Sequence, residues 1–96
     1  MPHSAATLQL LSAAFTCGDE YYHYTSNLVQ RGIECDETCV TLAKEYLAEL
    51  EKLDAHLATL PPNGEVSALK LSTMAYIEIL QKDLKRYADF GVALSD

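Results

Sequence analysis

Residues 5–31 carry only three formal charges, Asp19, Glu20 and Arg31, and repeat apolar residues at helical spacing along two lines rather than one. One line runs Leu10, Ala14, Cys17, Tyr21, Tyr24, Leu28; the other runs Leu8, Leu11, Phe15, Gly18, Tyr22, Thr25, Val29. Steps of three and four put each line on one face of a helix. A helix so poor in charge has to be covered on more than one side. It is either the central member of its own bundle, absorbing both lines, or a helix whose second line is covered from outside the chain. The run Tyr21-Tyr22-His23-Tyr24 favours outside cover, because four successive side chains at about 100° each sweep most of the circumference. At least one of these rings is expected to point away from an intrachain core.

Gly18 lies in the middle of this segment, where glycine costs about 1 kcal/mol relative to alanine. With Ala14 one turn earlier it makes a flat strip on which another backbone or an aromatic ring can lie closely. The expectation is a continuous or kinked helix; a break at Gly18 would raise the helix count to four.

The rest of the chain reads as two further helices without strand signals. Ser4 is a candidate N-cap for the first helix. Gly32 is its stop, with Ile33 folding back on Leu28 in a Schellman ending. Asp36 is the natural N-cap of a second helix, and Glu37 suits its first turn. Along that helix Cys39, Ala43, Tyr46, Leu50, Leu53, Leu57 and Leu60 alternate steps of four and three, a coiled-coil-like seam. Pro61-Pro62 ends the helix, since proline disfavours helical geometry in the residue before it. After Asn63-Gly64 a third helix, starting near Glu65, offers Val66, Leu69, Thr73, Ile77, Leu80, Leu84 and Tyr87 to the core, with Gly91 as its stop. Short connections make sequential helices antiparallel neighbours. The expected fold is therefore all-α, one helical-bundle domain over residues 1–96 built as an antiparallel bundle of three long helices.

At 96 residues such a core is near the size at which a second subunit often completes the burial. Fourteen acidic and seven basic residues give a net charge of −7, which argues against a general binder of nucleic acid or anionic membrane. Residues 1–65 hold ten of the acids and three of the bases, so the negative field belongs to the first two helices and their connection. Three cysteines, an odd number without a disulfide framework, suit a reducing cytoplasm. The N-terminal stretch lacks the positive start of an export signal, and Thr7, Gln9 and Ser12 interrupt its apolar run. No apolar run approaches the roughly 18–20 residues of a membrane span.

Chemistry is hard to place on this chain. Cys35 and Cys39 are four apart, as are Asp19 and His23, and both spacings can set ligands on one face. In a hairpin turning near Gly32 to Asp36, however, Cys39 lies opposite Leu28, and His23 is about 7 Å farther along at 1.5 Å per residue. That is too far for one tetrahedral zinc, so no metal site and no cofactor are expected, and the thiols are expected to be free. Asp19 is placed to act on His23 as a pH-sensitive contact, the plainer role being a polar outer face. His56 carries no special signal. No serine sits in a nucleophile elbow, no cysteine has an oriented base, and the paired carboxylates lie on solvated helical faces. An all-helical mutase acting on a dicarboxylate would need several cationic residues in its long first helix, where only Arg31 is found. No catalytic residues are assigned and the chain is not expected to be an enzyme.

These exclusions leave action by contact. The expected function is that of a non-catalytic protein-binding module, a small acidic adaptor, chaperone or inhibitor, presenting the aromatic face of its first helix to a second copy or to another protein. Tyr21, Tyr22 and Tyr24 are the expected anchors, extended by Phe15 and Leu11, and a homodimer is the expected state. One alternative uses Glu34, Asp36, Glu37, Glu45, Glu49, Glu51 and Asp54 as an imitation of a phosphate backbone, inhibiting a nucleic-acid-binding protein by filling its basic groove. Another gives the cysteines a metal or redox role. A small basic patch of Lys82, Lys85 and Arg86 on the third helix is too slight to imply nucleic acid.

Overall fold

The computed structural model describes residues 4–89. Three helices follow one another, α1 (Ala5–Gln30), α2 (Glu37–Leu57) and α3 (Gly64–Asp89), and no strand occurs among the described residues. Ser4 caps α1, its side chain accepting from the Thr7 N–H at 3.2 Å. The helix runs through Gly18 without a break, so three helices form rather than four. It ends as a Schellman motif: Ile33 N–H donates to Leu28 O at 2.8 Å, Gly32 N–H donates to Val29 O at 3.0 Å, and Gly32 takes φ 72°. The Asp36 carboxylate then caps α2 by accepting from the Cys39 N–H at 2.9 Å. Asn63 does the same for α3, its side-chain oxygen accepting from the Val66 N–H at 2.9 Å. That cap starts α3 one residue before Glu65. The expected stop at Gly91 lies outside the described residues.

The links, residues 31–36 and 58–63, are short, so the chain runs up, down and up again. Packing is α1 on α2 and α2 on α3, and no Cα of α1 comes within 8 Å of one in α3. The central helix is therefore α2. Its seam Cys39, Ala43, Tyr46, Leu50, Leu53 and Leu57 is buried throughout, with Leu60 half-buried and Val40 added to it. α3 buries Val66, Thr73, Leu80 and Tyr87 on the expected face. Leu28, Leu57 and Leu80, one from each helix, are almost wholly buried and contribute about 1.5–3 kcal/mol each.

α1 is thus an outer helix. Its first line of apolar residues meets α2, burying Ala14, Tyr21 and Leu28. Its second line is split: Leu8, Phe15, Tyr22 and Val29 are 52, 69, 42 and 71% exposed, whereas Leu11 and Thr25 are half-buried and Gly18 is buried. A central α1 absorbing both lines is not what forms. The chain's cleanest seam, on α2, takes the middle position because it alone has two neighbours to meet.

Candidate docking groove

Because α1 and α3 both lean on α2 with their backbones held apart, a groove runs between them. Its volume is about 400 Å³. One wall is the second line of α1, with Leu11, Phe15, Gly18 and Tyr22, beside Ala14 and Asp19. The floor is α2, through Tyr46, Leu50 and Leu53, and the other wall is α3, through Leu69, Ser72, Thr73 and Tyr76. The polar groups here are few and partly spoken for. Thr73 Oγ1 donates to Leu69 O within its own helix at 2.7 Å, which leaves a mainly apolar trough.

Gly18 shapes the floor. A Cβ built there would stand 2.9 Å from Tyr46 Cζ and 3.0 Å from its hydroxyl oxygen. The tip of the Tyr46 phenol therefore lies against the α1 backbone at Gly18, in the space a side chain would fill. Tyr22 meets the same ring edge-on with centroids 6.0 Å apart, and Tyr21 meets it at 6.2 Å. Burial, then the charge that Tyr22 and Tyr76 would carry, pushes the Tyr46 phenol up to about 12.

One end of the trough is tied by side chains. Tyr21 Oη donates to Asp83 Oδ2 at 2.9 Å and lies 2.6 Å from Tyr87 Oη. With its single proton given to the carboxylate, Tyr21 accepts from Tyr87. Arg86 pairs with Asp83 at 3.4 Å and stands over the Tyr87 ring at 5.3 Å. Burial first, then these hydrogen bonds, raises the Tyr21 phenol. The far end of the α1–α2 pair has a tie of its own, a 2.7 Å hydrogen bond between buried Thr7 Oγ1 and His56 Nε2, with Ser4 Oγ 3.0 Å from the threonine.

Three of the five expected anchors line the groove, namely Leu11, Phe15 and Tyr22. The other two do not. Tyr21 is 1% exposed and belongs to the core and its polar latch. Tyr24 is half-buried and donates to Asp36 Oδ2 at 2.5 Å, bracing the turn into α2. The ring that points away from the core is Tyr22. Sequence reasoning missed Tyr46 and Tyr76, which face the groove from the other two helices. Tyr46 was legible only as a seam residue, and Tyr76 sits one place before Ile77 on the edge of its stripe.

The acidic residues are spread out. Asp36 is engaged in capping and in the bond from Tyr24; Glu49 pairs with Lys52 at 3.0 Å. Glu49 and Asp54 diverge by about 140° around α2, while Glu34, Glu37, Glu45 and Glu51 are exposed at different points of the turn and helix. In the basic patch, Lys82 and Lys85 are exposed and Arg86 is engaged with Asp83 and Tyr87. His23 and Asp19 are both exposed one helical turn apart, with Asp19 in the groove wall.

All three thiols are free, Cys39 being buried and Cys17 and Cys35 half-buried. Burial raises the Cys17 thiol, reinforced by Glu49, Glu20 and Glu45; burial and the neighbouring Cys39 push Cys35 up to about 12. A protonated thiol is a weaker nucleophile than a thiolate. Among the described residues, no three of His, Cys, Asp and Glu gather so as to hold a metal ion, and no helix is long and apolar enough to cross a membrane. Comparison with protein-family models, with curated proteins and with solved structures gave no match to this chain.

Proposed function

We propose that this chain is a non-catalytic protein-binding module, a small acidic adaptor, chaperone or inhibitor, which takes an amphipathic helix into the groove between α1 and α3. The observation that carries this reading is that exposed Phe15 and Tyr22 of α1 stand in one wall of an apolar trough of about 400 Å³. Lateral association of helices buries such walls, and anchors at steps of three, four and seven are the matching pattern on a partner. Tyr22, Tyr46 and Tyr76 line the groove, and aromatic side chains with a polar tip suit a contact that is apolar at its centre and polar at its rim. The raised thiols and the scattered carboxylates support contact rather than chemistry.

Selection from a displayed library of amphipathic helical peptides, followed by fluorescence anisotropy of the best binders, tests this. Binding is expected to fall at least tenfold in Phe15→Glu and in Tyr76→Glu and to change less than about threefold between 50 and 500 mM salt. Binding that collapses with salt, survives Phe15→Glu and is lost when Glu45 and Glu51 become glutamine would replace the groove with the acidic surface.

A further inference from the structure

Charge enters the groove at one point. Asp19 is the only acidic side chain in its lining, and no lysine, arginine or histidine of the described residues stands there. Neither ion pair among the described residues includes it, since Lys52 is engaged with Glu49 and Arg86 with Asp83. The carboxylate rises from α1 between two rings, Phe15 one turn before it and Tyr22 one turn after, at the steps of four and three that share a helix face. Tyr76 lines the opposite wall on α3, and Tyr46 closes the floor with its ring at 81° to that of Tyr22. From this we infer that the helix received by the groove carries one lysine or arginine within its apolar line, set among the rings of Phe15, Tyr22 and Tyr76 and against Asp19. The inference rests on the docking role proposed above and names the chemistry of the partner.

Desolvation selects the sign of the charge. A helix with a wholly apolar face would take the Asp19 carboxylate out of water and leave it unpaired, which is costly for any ion. A helix with an acid at that place would meet both Asp19 and a chain of net charge −7. A basic side chain offsets the desolvation, its head pairing with the carboxylate while its methylene stem covers the apolar wall. The rings then separate a cation from a neutral donor, because an aromatic face attracts lysine or arginine held within about 6 Å of its centroid. Phe15, Tyr22 and Tyr76 have that surface to offer, each more than two-fifths exposed. Tyr22, Tyr76 and Asp19 all act electrostatically on the Tyr46 phenol, so rings and acid form one cluster. The place of the cation along the groove follows from the register of α1 on α2. Thr7 meets His56 and Gly18 meets Tyr46, which sets Leu11 across from Leu53, with Asp19 about 12 Å farther along α1. The matching helix therefore has a large apolar residue at the Leu11 end and its lysine or arginine seven or eight residues away.

The test is a display selection on the wild-type chain, from amphipathic helical peptides whose apolar line varies among Leu, Met, Phe, Lys, Arg and Glu. It is expected to return binders with a single Lys or Arg in that line, seven or eight residues from a large apolar residue. Asp19 is exposed, so Asp19→Asn leaves the core alone and is expected to keep the helical circular dichroism unchanged. Fluorescence anisotropy of the best peptide, and of the same peptide with its cation exchanged for Met, completes a cycle with that variant. On the wild type the exchange is expected to weaken binding at least about tenfold, and on Asp19→Asn less than about threefold. Tyr76→Leu keeps apolar bulk without the ring, and is expected to weaken the cationic peptide at least about threefold while moving the Met peptide less than about twofold. Binders with an uncharged line, indifferent to Asp19→Asn but weakened by Phe15→Ala, overturn the inference and leave the groove as a docking site. A preference for the cation that persists in Asp19→Asn overturns it as well. A selection that returns no binder removes the docking role itself, and the inference with it.

Discussion

Tyr21 and Tyr87 lie 66 residues apart in the chain and 2.6 Å apart at their hydroxyl oxygens, joining two helices whose backbones do not touch. Both rings are buried, at 1 and 2% exposure, and Asp83 takes the Tyr21 proton. Tyr21→Phe strands a carboxylate oxygen and a phenol together and is expected to cost about 1–3 kcal/mol. Tyr87→Phe removes only the donor to Tyr21 and should cost less. Urea titrations of both single variants and the double variant check this; a coupling of about 1 kcal/mol is expected, and strict additivity would mean that the two phenols do not act together.

Gly18→Ala would ordinarily stabilise a helix by about 1 kcal/mol. Here the added carbon meets Tyr46 Cζ at 2.9 Å and forces a ring packed against Tyr21 and Tyr22 to move. The substitution is therefore expected to be neutral or destabilising in the wild-type chain. In a Tyr46→Leu background it should recover its helical gain, so Gly18→Ala should raise the melting temperature there and leave it unchanged or lower it in the wild-type chain.

Much of this fold was legible residue by residue. Gly32, Asp36 and Pro61-Pro62 punctuate the chain through local backbone chemistry, and the seams of α2 and α3 follow from spacing alone. The identity of the central helix was not legible, because a periodic apolar face records that something covers it and not what does. For the same reason Tyr21 and Tyr22, adjacent in sequence, could not be sorted into a core residue and a groove residue. Their sorting depends on Asp83 and Tyr87, more than 60 positions away.

Asp36 couples α2 to acid. Burial pushes its carboxyl up, but the bonds from Tyr24 Oη and the Cys39 N–H, with Arg31 nearby, outweigh this and hold it below the usual carboxylate value. A depressed pKa means stability that is complete above the unfolded value of about 3.9 and lost as pH falls through the lower folded value. Asp36→Asn keeps a capping oxygen but no charge. It should flatten the decline of the melting temperature between pH 5 and pH 2, and an unchanged profile would assign that acid sensitivity elsewhere.

At the alkaline end the sign reverses. Burial leads the rise of the Tyr21, Tyr46 and Tyr87 phenols, with Tyr46 at about 12. Groups raised in the folded chain lend stability that is whole below the unfolded value of about 10 and is lost as pH climbs through the folded values. Absorbance at 295 nm and helical circular dichroism, followed together, are expected to show late tyrosine ionisation coinciding with loss of helix above pH 11. Ionisation of all six tyrosines in one wave near pH 10 with the helices intact would contradict the buried latch.

Because α2 stands between its two neighbours, every helix pair that packs is also consecutive along the chain. Such a topology has little loop entropy to overcome and favours fast assembly, one hairpin serving as the template for the next. The Tyr21–Tyr87 bond is the exception in sequence distance, a clasp that can close only once both hairpins exist. Its loss should leave the rate of folding nearly unchanged and quicken unfolding instead, so that the lifetime of the native fold is set by two phenols rather than by the core that forms first.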